Sequence, residues 1–164
     1  MSDVVIRPAT ADDWAAIFPI IQHVVGEGET YALPASLSSD AAREYWMEQP
    51  PAQTVVAELH GAIVGTAKMG PNRPGHGDHI GTASFMVDQT VRGAGVGRRL
   101  GEYVIDWHRR RGYEGIQFNA VVASNEAAVR LWRSLGFEIV GTVPNAFRSP
   151  SHGRVGLHVM FLAL

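Results

Sequence analysis

The sequence predicts an α/β (α+β) domain in which a single mixed β-sheet is flanked by helices, in the order β-α-α-β-β-β-α-β-α-β-β. Three observations predict it. Short apolar runs rich in Val and Ile alternate with segments whose apolar residues recur every three or four positions. Glycine and proline punctuate the boundaries. At 164 residues the chain is the size of one domain able to bury a good core, so 1–164 reads as a single unit.

Val4-Val5-Ile6 reads as a short strand ended by Pro8. Thr10-Ala11-Asp12-Asp13 then has the capping form Ser/Thr-x-x-Asp/Glu, and Trp14, Ile17, Phe18 and Ile21 form the buried stripe of a helix that Pro19 is expected to interrupt. Residues 25–34 read as a loop with two carboxylates, Glu27 and Glu29, and one aromatic, Tyr31. Ser39 is expected to cap a helix over 40–48 that Pro50-Pro51 ends. Strands follow at 54–59 and 62–69, joined through His60-Gly61 as a tight hairpin, with a flexible loop over 70–78. Ala83 to Val87 is a strand, and 95–111 a helix with Leu100, Tyr103, Val104 and Trp107 inward and Gly112 as its stop. A strand at 115–122 leads to Asn125, which opens a helix with Ala128, Val129, Trp132 and Leu135 inside. Residues 137–142 and 155–162 are the last strands, and 144–153 a loop between them.

Composition narrows the function. A net charge of −2 and a pI near 6.4 argue against a nucleic-acid binder, and Arg109-Arg110-Arg111 reads as a solvated helix end. With no cysteine, disulfides, thiolate metal sites and a cysteine nucleophile are excluded. His60, His76 and His79 lack a His-x₃-His helical pair, so they read as surface loop and no metal is expected. The N-terminal segment lacks the regions of a signal peptide, and no apolar run approaches the ~18 residues of a membrane span; a cytoplasmic protein with no membrane partner is expected.

The stretch 82–100, TASFMVDQTVRGAGVGRRL, carries the chemistry. Glycines at a strand-to-helix turn let the backbone approach a ligand closely. They also leave the first helical N–H groups pointing outward, where the dipole favours an anion. Arg92 and Arg98 add positive charge, so the loop suits a pyrophosphate. It is not a P-loop, because no Lys-Ser or Lys-Thr follows Gly97. Nor is it the dinucleotide fingerprint, because Arg98 stands where a third glycine is needed. What remains is Gln/Arg-x-x-Gly-x-Gly/Ala, here Arg92-x-x-Gly95-x-Gly97. It resembles the pyrophosphate loop of the GNAT superfamily of N-acetyltransferases. Residues 125–137, NEAAVRLWRSLGF, resemble that family's N-x-x-A-x-x-L-Y-x-x-x-G-F segment, and the element order matches the family's across the whole chain.

The resemblance implies acetyl-CoA as the acyl donor and a small-molecule amine as acceptor, acetylated by direct attack in a ternary complex; a homodimer is common in the family. It implies that Phe85, Met86 and Val87 end a strand splayed from Asn119–Val122. Backbone groups there would hold the pantetheine arm, and an N–H near Val87 would hold the thioester carbonyl as charge develops on it. Gly93, Ala94, Gly95, Val96, Gly97 and Arg98, with Arg92, would take the pyrophosphate, and Asn125 the coenzyme arm, cap its helix, or do both. Trp132 stands where many members carry a tyrosine acid. Its indole can donate a hydrogen bond but cannot give up that proton, so it either lines the thioester pocket or packs in the core.

The acceptor amine must lose a proton. Asn119, on the opening strand, can orient it, and Glu29 is the candidate base, with Glu27 competing; Asp88 and His158 are weaker candidates. Tyr31 either bonds the acceptor or packs. The segments G-E-T-Y, Q-F-N-A-V-V and V-P-x-A-F-R are similar to a branch that includes yeast acetyltransferases of proline-like amino acids. That likeness implies contact between acceptor and Asn119, with Arg148 facing a substrate carboxylate. A protein or peptide N-acetyltransferase and a non-catalytic acyl-CoA sensor are the alternatives.

Overall fold

A computed structural model describes residues 3–164. Its elements are β1 (Val4–Pro8), α1 (Trp14–Glu27), α2 (Ser39–Trp46), β2 (Gln53–Leu59), β3 (Ala62–Pro71), β4 (Ile80–Val87), α3 (Val96–Arg110), β5 (Gly115–Val122), α4 (Glu126–Ser134), β6 (Glu138–Ser149) and β7 (Gly153–Ala163). The strands form one mixed sheet in the order β1-β2-β3-β4-β5-β7-β6. Element order and fold class are as the sequence predicts.

Local chemistry fixes the boundaries. Thr10 and Asp13 form a reciprocal capping box, and Arg7 on β1 grips Asp13 through its two terminal guanidinium nitrogens at 2.8 and 2.9 Å while also reaching Glu58 on β2. One guanidinium thus ties the first helix to the first two strands. The hairpin between β2 and β3 turns through His60 and Gly61, both at positive φ, the geometry that suits the right-handed twist of the flanking strands.

Several boundaries differ from the sequence reading. Helix α1 runs unbroken through Pro19, because Pro19 and Ala15, whose carbonyl loses its partner, both lie on the water-facing side. The same helix takes in Val25 to Glu27 and stops at Gly28, whose φ of 69° is the left-handed cap. The cap of α2 is Ser38, which accepts from the Ala41 amide; Ser39 instead accepts the indole N–H of Trp14. Residues 144–149 are not loop: β6 extends to Ser149, with irregular register between Val143 and Phe147, and only the turn at 150–152 separates it from β7.

The sheet separates two cores. On one face α3 and α4 pack over Val55, Ala57, Val64, Ile116, Phe118 and Met160. On the other, Ile17, Ile21, Val24 and Trp46 of α1 and α2 cover Val56 and Met86. In β4 this alternation places Ala83, Phe85 and Val87 toward α3 and α4, and Met86 toward α1 and α2.

Candidate active site

Strands β4 and β5 run parallel but pair only at Ile80 with Gly115 and Gly81 with Ile116. Beyond that the sheet opens. Gly81 permits the close pairing: a Cβ there would stand 2.2 Å from the ring of His108, which α3 buries beneath it. Past the pairing, Asp88 donates to the Val64 carbonyl, so the even-numbered residues of β4 bond to β3. Phe85 and Val87 therefore aim their N–H and C=O groups at the gap. Across it, β5 carries a bulge, since Phe118 pairs with Met160 but Val121 with His158. The extra residue at Asn119-Ala120 turns the strand away.

The gap is the floor of a cleft of about 450 Å³. Its α3–α4 side is aromatic. Phe85 and Trp132 lie 4.6 Å apart, Phe118 meets Trp132 edge-on at 5.0 Å, and Gly101 on α3 leaves room for the indole. Trp132 is buried against these rings and its N–H finds no acceptor among the described residues, so packing and lining go together. Asn125 accepts from the Ala128 amide at 3.3 Å as the cap of α4 and also borders the cleft.

At the end of β4 the chain turns into α3 through Gly93 and Gly95, at φ of 81° and 77°; a Cβ at either would meet nothing within 4 Å. The open first turn of α3 begins there, with Gly97 bordering the cleft. Free N–H groups at a helix N-terminus beside open space fit a pyrophosphate. Arg92 is held by Gln89 at 2.7 and 2.9 Å, and Arg98 pairs with Glu102 and Ser134; both remain exposed at the turn.

On the α1–α2 side Val24, Leu33 and Met86 share the wall with the uncharged polar groups of Thr82, Ser84, Tyr45 and Asn119. Asn119 donates to Asn72 at 2.7 Å and accepts from Gln117 at 2.9 Å, a chain of three amides at the mouth. Met86 borders the cleft, while its backbone belongs to the ladder with Thr66. Tyr31 reaches across from the loop after α1. Its hydroxyl donates to the Phe85 carbonyl at 2.6 Å and accepts from the Phe85 N–H at 2.8 Å. Burial pushes this phenol above its ordinary range.

Two candidates lie elsewhere. Glu29 accepts from the Ser149 hydroxyl at 2.5 Å and the Ser151 amide at 3.0 Å. Those bonds hold its carboxyl below the usual range and outside the cleft lining, so it anchors the loop and makes a poor base. Arg148 follows Phe147, which lines the cleft, and so projects from the opposite face of β6, exposed and opposite Arg154. Glu27 pairs with His23, Asp88 caps the turn through Thr90, and His158 bonds Thr142. Sequence reasoning missed Asn72, Ser84 and Tyr45, which carry no motif. The alternation of β4 was the one available signal, and it marks Ser84.

A larger hollow of about 700 Å³ opens at the other end of the sheet, near Pro8, Gln53, Trp107 and Tyr113. It touches none of the motif residues. Among the described residues, no cluster of His, Asp and Glu is arranged to hold a metal ion, and no helix is long and apolar enough to cross a membrane.

Residues 18–137 match the family model described as "Acetyltransferase (GNAT) family". The chain is 50% identical to a GCN5-related N-acetyltransferase from Kribbella flavida of known structure; the match covers 99% of this chain and 98% of that one, with a TM-score of 0.96. It is 29% identical to a protein from Salmonella typhimurium solved with its cofactor acetyl-CoA, over 99% of this chain and 95% of that one, with a TM-score of 0.82. It is 32% identical over 146 residues to the L-methionine sulfoximine/L-methionine sulfone acetyltransferase of Pseudomonas aeruginosa, covering 85% of this chain and 83% of that protein.

Proposed function

The chain belongs to the acetyltransferase (GNAT) family of acetyl-CoA-dependent N-acetyltransferases, and from that premise we propose that it acetylates the amine of a small molecule, an amino-acid derivative or analogue, by direct attack in a ternary complex. One observation carries the reading: the opening between β4 and β5 joins a glycine-lined helix N-terminus to an uncharged pocket through a single cleft. The relative that acts on methionine sulfoximine and methionine sulfone supports a small-molecule amine as acceptor. The cytoplasmic setting expected from the sequence stays with this reading.

The residues divide the work. Gly93 to Arg98, with Arg92, hold the pyrophosphate at the start of α3. Phe85 and Val87 offer backbone groups to the pantetheine arm. The Val87 N–H is the donor aimed at the thioester oxygen, where one well-placed N–H lowers a barrier by about 3 kcal/mol. Phe85, Phe118 and Trp132 exclude water from the thioester, and Asn125 borders the arm. On the other side Asn119 orients the amine for attack. Trp132 supplies no proton, so the departing thiolate is protonated from solvent.

Initial rates measured with both substrates varied test the ternary complex. Intersecting reciprocal plots support it. Parallel plots, the mark of an acetylated enzyme intermediate, would contradict it.

A further inference from the structure

The side chains bordering the cleft include no Asp, Glu, His, Lys or Arg. Its titratable groups are Tyr31 and Tyr45, and burial raises both, so neither is a phenolate near neutral pH. Ionisable groups on the surrounding elements are engaged. Glu29 is tied to the turn at 150–152 and His158 on β7 to Thr142, and Asp88 caps its turn. Lys68 on β3 packs behind the lining, its ammonium over the Tyr45 ring and bonded to the Tyr45 carbonyl at 2.8 Å and to Glu48 at 3.2 Å. Arg73, next to the Asn72 that Asn119 bonds, folds back onto the Asn72 carbonyl at 3.2 Å and does not border the cleft. The lining thus presents a few hydroxyls and amides among mostly apolar side chains, with neither a base to take a proton nor a cation to clamp a carboxylate.

We infer that the acceptor is a weakly basic amine with an uncharged far end, such as an amino-acid amide, and that it reacts from its already neutral form. This rests on the acetyl-transfer reading above and narrows its substrate. The amine lone pair forms the C–N bond to the thioester carbon, and the C–S bond breaks. The nitrogen's surplus proton passes to water, and the coenzyme thiolate takes one back. An α-amine beside an amide titrates at about 8 and a lysine-type amine at about 10.4, so at pH 7 the first is neutral more than a hundredfold more often. A free amino acid titrates above its amide because its own carboxylate stabilises the ammonium. It would also leave that carboxylate unpaired in a neutral pocket.

The test compares methionine amide, methionine, aniline and a simple alkylamine as acceptors of the wild-type enzyme, with kcat/KM followed from pH 6 to 9.5. Methionine amide should exceed methionine about tenfold or more at pH 7. The inflection should sit at about 8 for methionine amide and higher for methionine, while aniline stays flat across the window and the alkylamine is still rising at its upper end. A fixed inflection shared by all acceptors would reveal a base on the protein and overturn the inference while leaving acetyl transfer intact. So would methionine equalling its amide at pH 7. No transfer to any of the amines would overturn both this inference and the function on which it rests.

Discussion

The hydroxyl of Tyr31 stands where a neighbouring strand would stand, donating to the carbonyl of Phe85 and accepting from its N–H across the opening of the sheet. A backbone donor and acceptor left in an apolar gap would each cost about 1–3 kcal/mol, and the phenol satisfies both. Those are also groups the coenzyme arm would use. The loop carrying Tyr31 is anchored by Glu29 to the turn between β6 and β7, so the two sides of the cleft mouth are linked through one short segment. Tyr31→Phe removes the competing hydroxyl and is expected to tighten acetyl-CoA binding roughly fivefold, about 1 kcal/mol, by titration calorimetry. Unchanged or weaker binding would mean that hydroxyl and coenzyme share no backbone group.

Gly95 adopts a φ of 77° and faces open space at the start of α3. Gly95→Asp adds a left-handed backbone strain of about 1–2 kcal/mol and places an anion in the cradle. The fold should survive, by circular dichroism, while acetyl-CoA affinity falls about a hundredfold or more. Retained affinity would move the pyrophosphate elsewhere.

Gly81 marks the last point where β4 and β5 meet. Gly81→Ala drives a methyl into the ring of His108, whose Nδ1 is already held 2.7 Å from the Val104 carbonyl. Destabilisation of about 3 kcal/mol is expected by urea denaturation, and adding His108→Ala should recover part of it. A stable single variant would show that the pairing tolerates separation.

Asp13 is nearly buried, and the Arg7 guanidinium holds its carboxyl down at about 2. A lowered folded-state pKa gives stability that is present above the unfolded value near 4 and lost as pH falls toward 2. Asp13→Asn should cost about 2 kcal/mol at pH 7, and the difference from wild type should shrink over that acid window. A gap that stays constant from pH 6 to pH 2 would assign the effect to shape and leave charge no part in it.

Asn119 is held by Asn72 and Gln117 at the mouth. Asn119→Ala should lower kcat/KM for the acceptor about tenfold, the worth of one or two hydrogen bonds, with acetyl-CoA affinity unchanged. Equal kcat/KM would place the amine away from β5.

Local signals made the fold legible: the strand-to-helix glycines, the stripe Leu100-Val104-Trp107 and the cap at Asn125 each fix an element without reference to distant residues. The glycine turn and the aromatic wall of the cleft were legible for the same reason, since their residues lie in two contiguous motifs. The opposite wall was not. In sequence Glu29 reads as a base, but Ser149 and Ser151, more than a hundred residues away, take its oxygens. Arg148 looked like a carboxylate clamp until the strand alternation set by Phe147 turned it outward. Asn72 enters the site only through a side-chain bond to Asn119 across 47 positions. Such placements follow from tertiary register, which no local pattern encodes.

The most direct test of the central claim is thiol release from acetyl-CoA across a panel of amines. The chain has no cysteine, so a thiol reagent reports only the coenzyme product. Release is expected to rise severalfold or more with a small-molecule amine and to be lost in Gly95→Asp. Tight acetyl-CoA binding with no amine-stimulated release from any acceptor would contradict it.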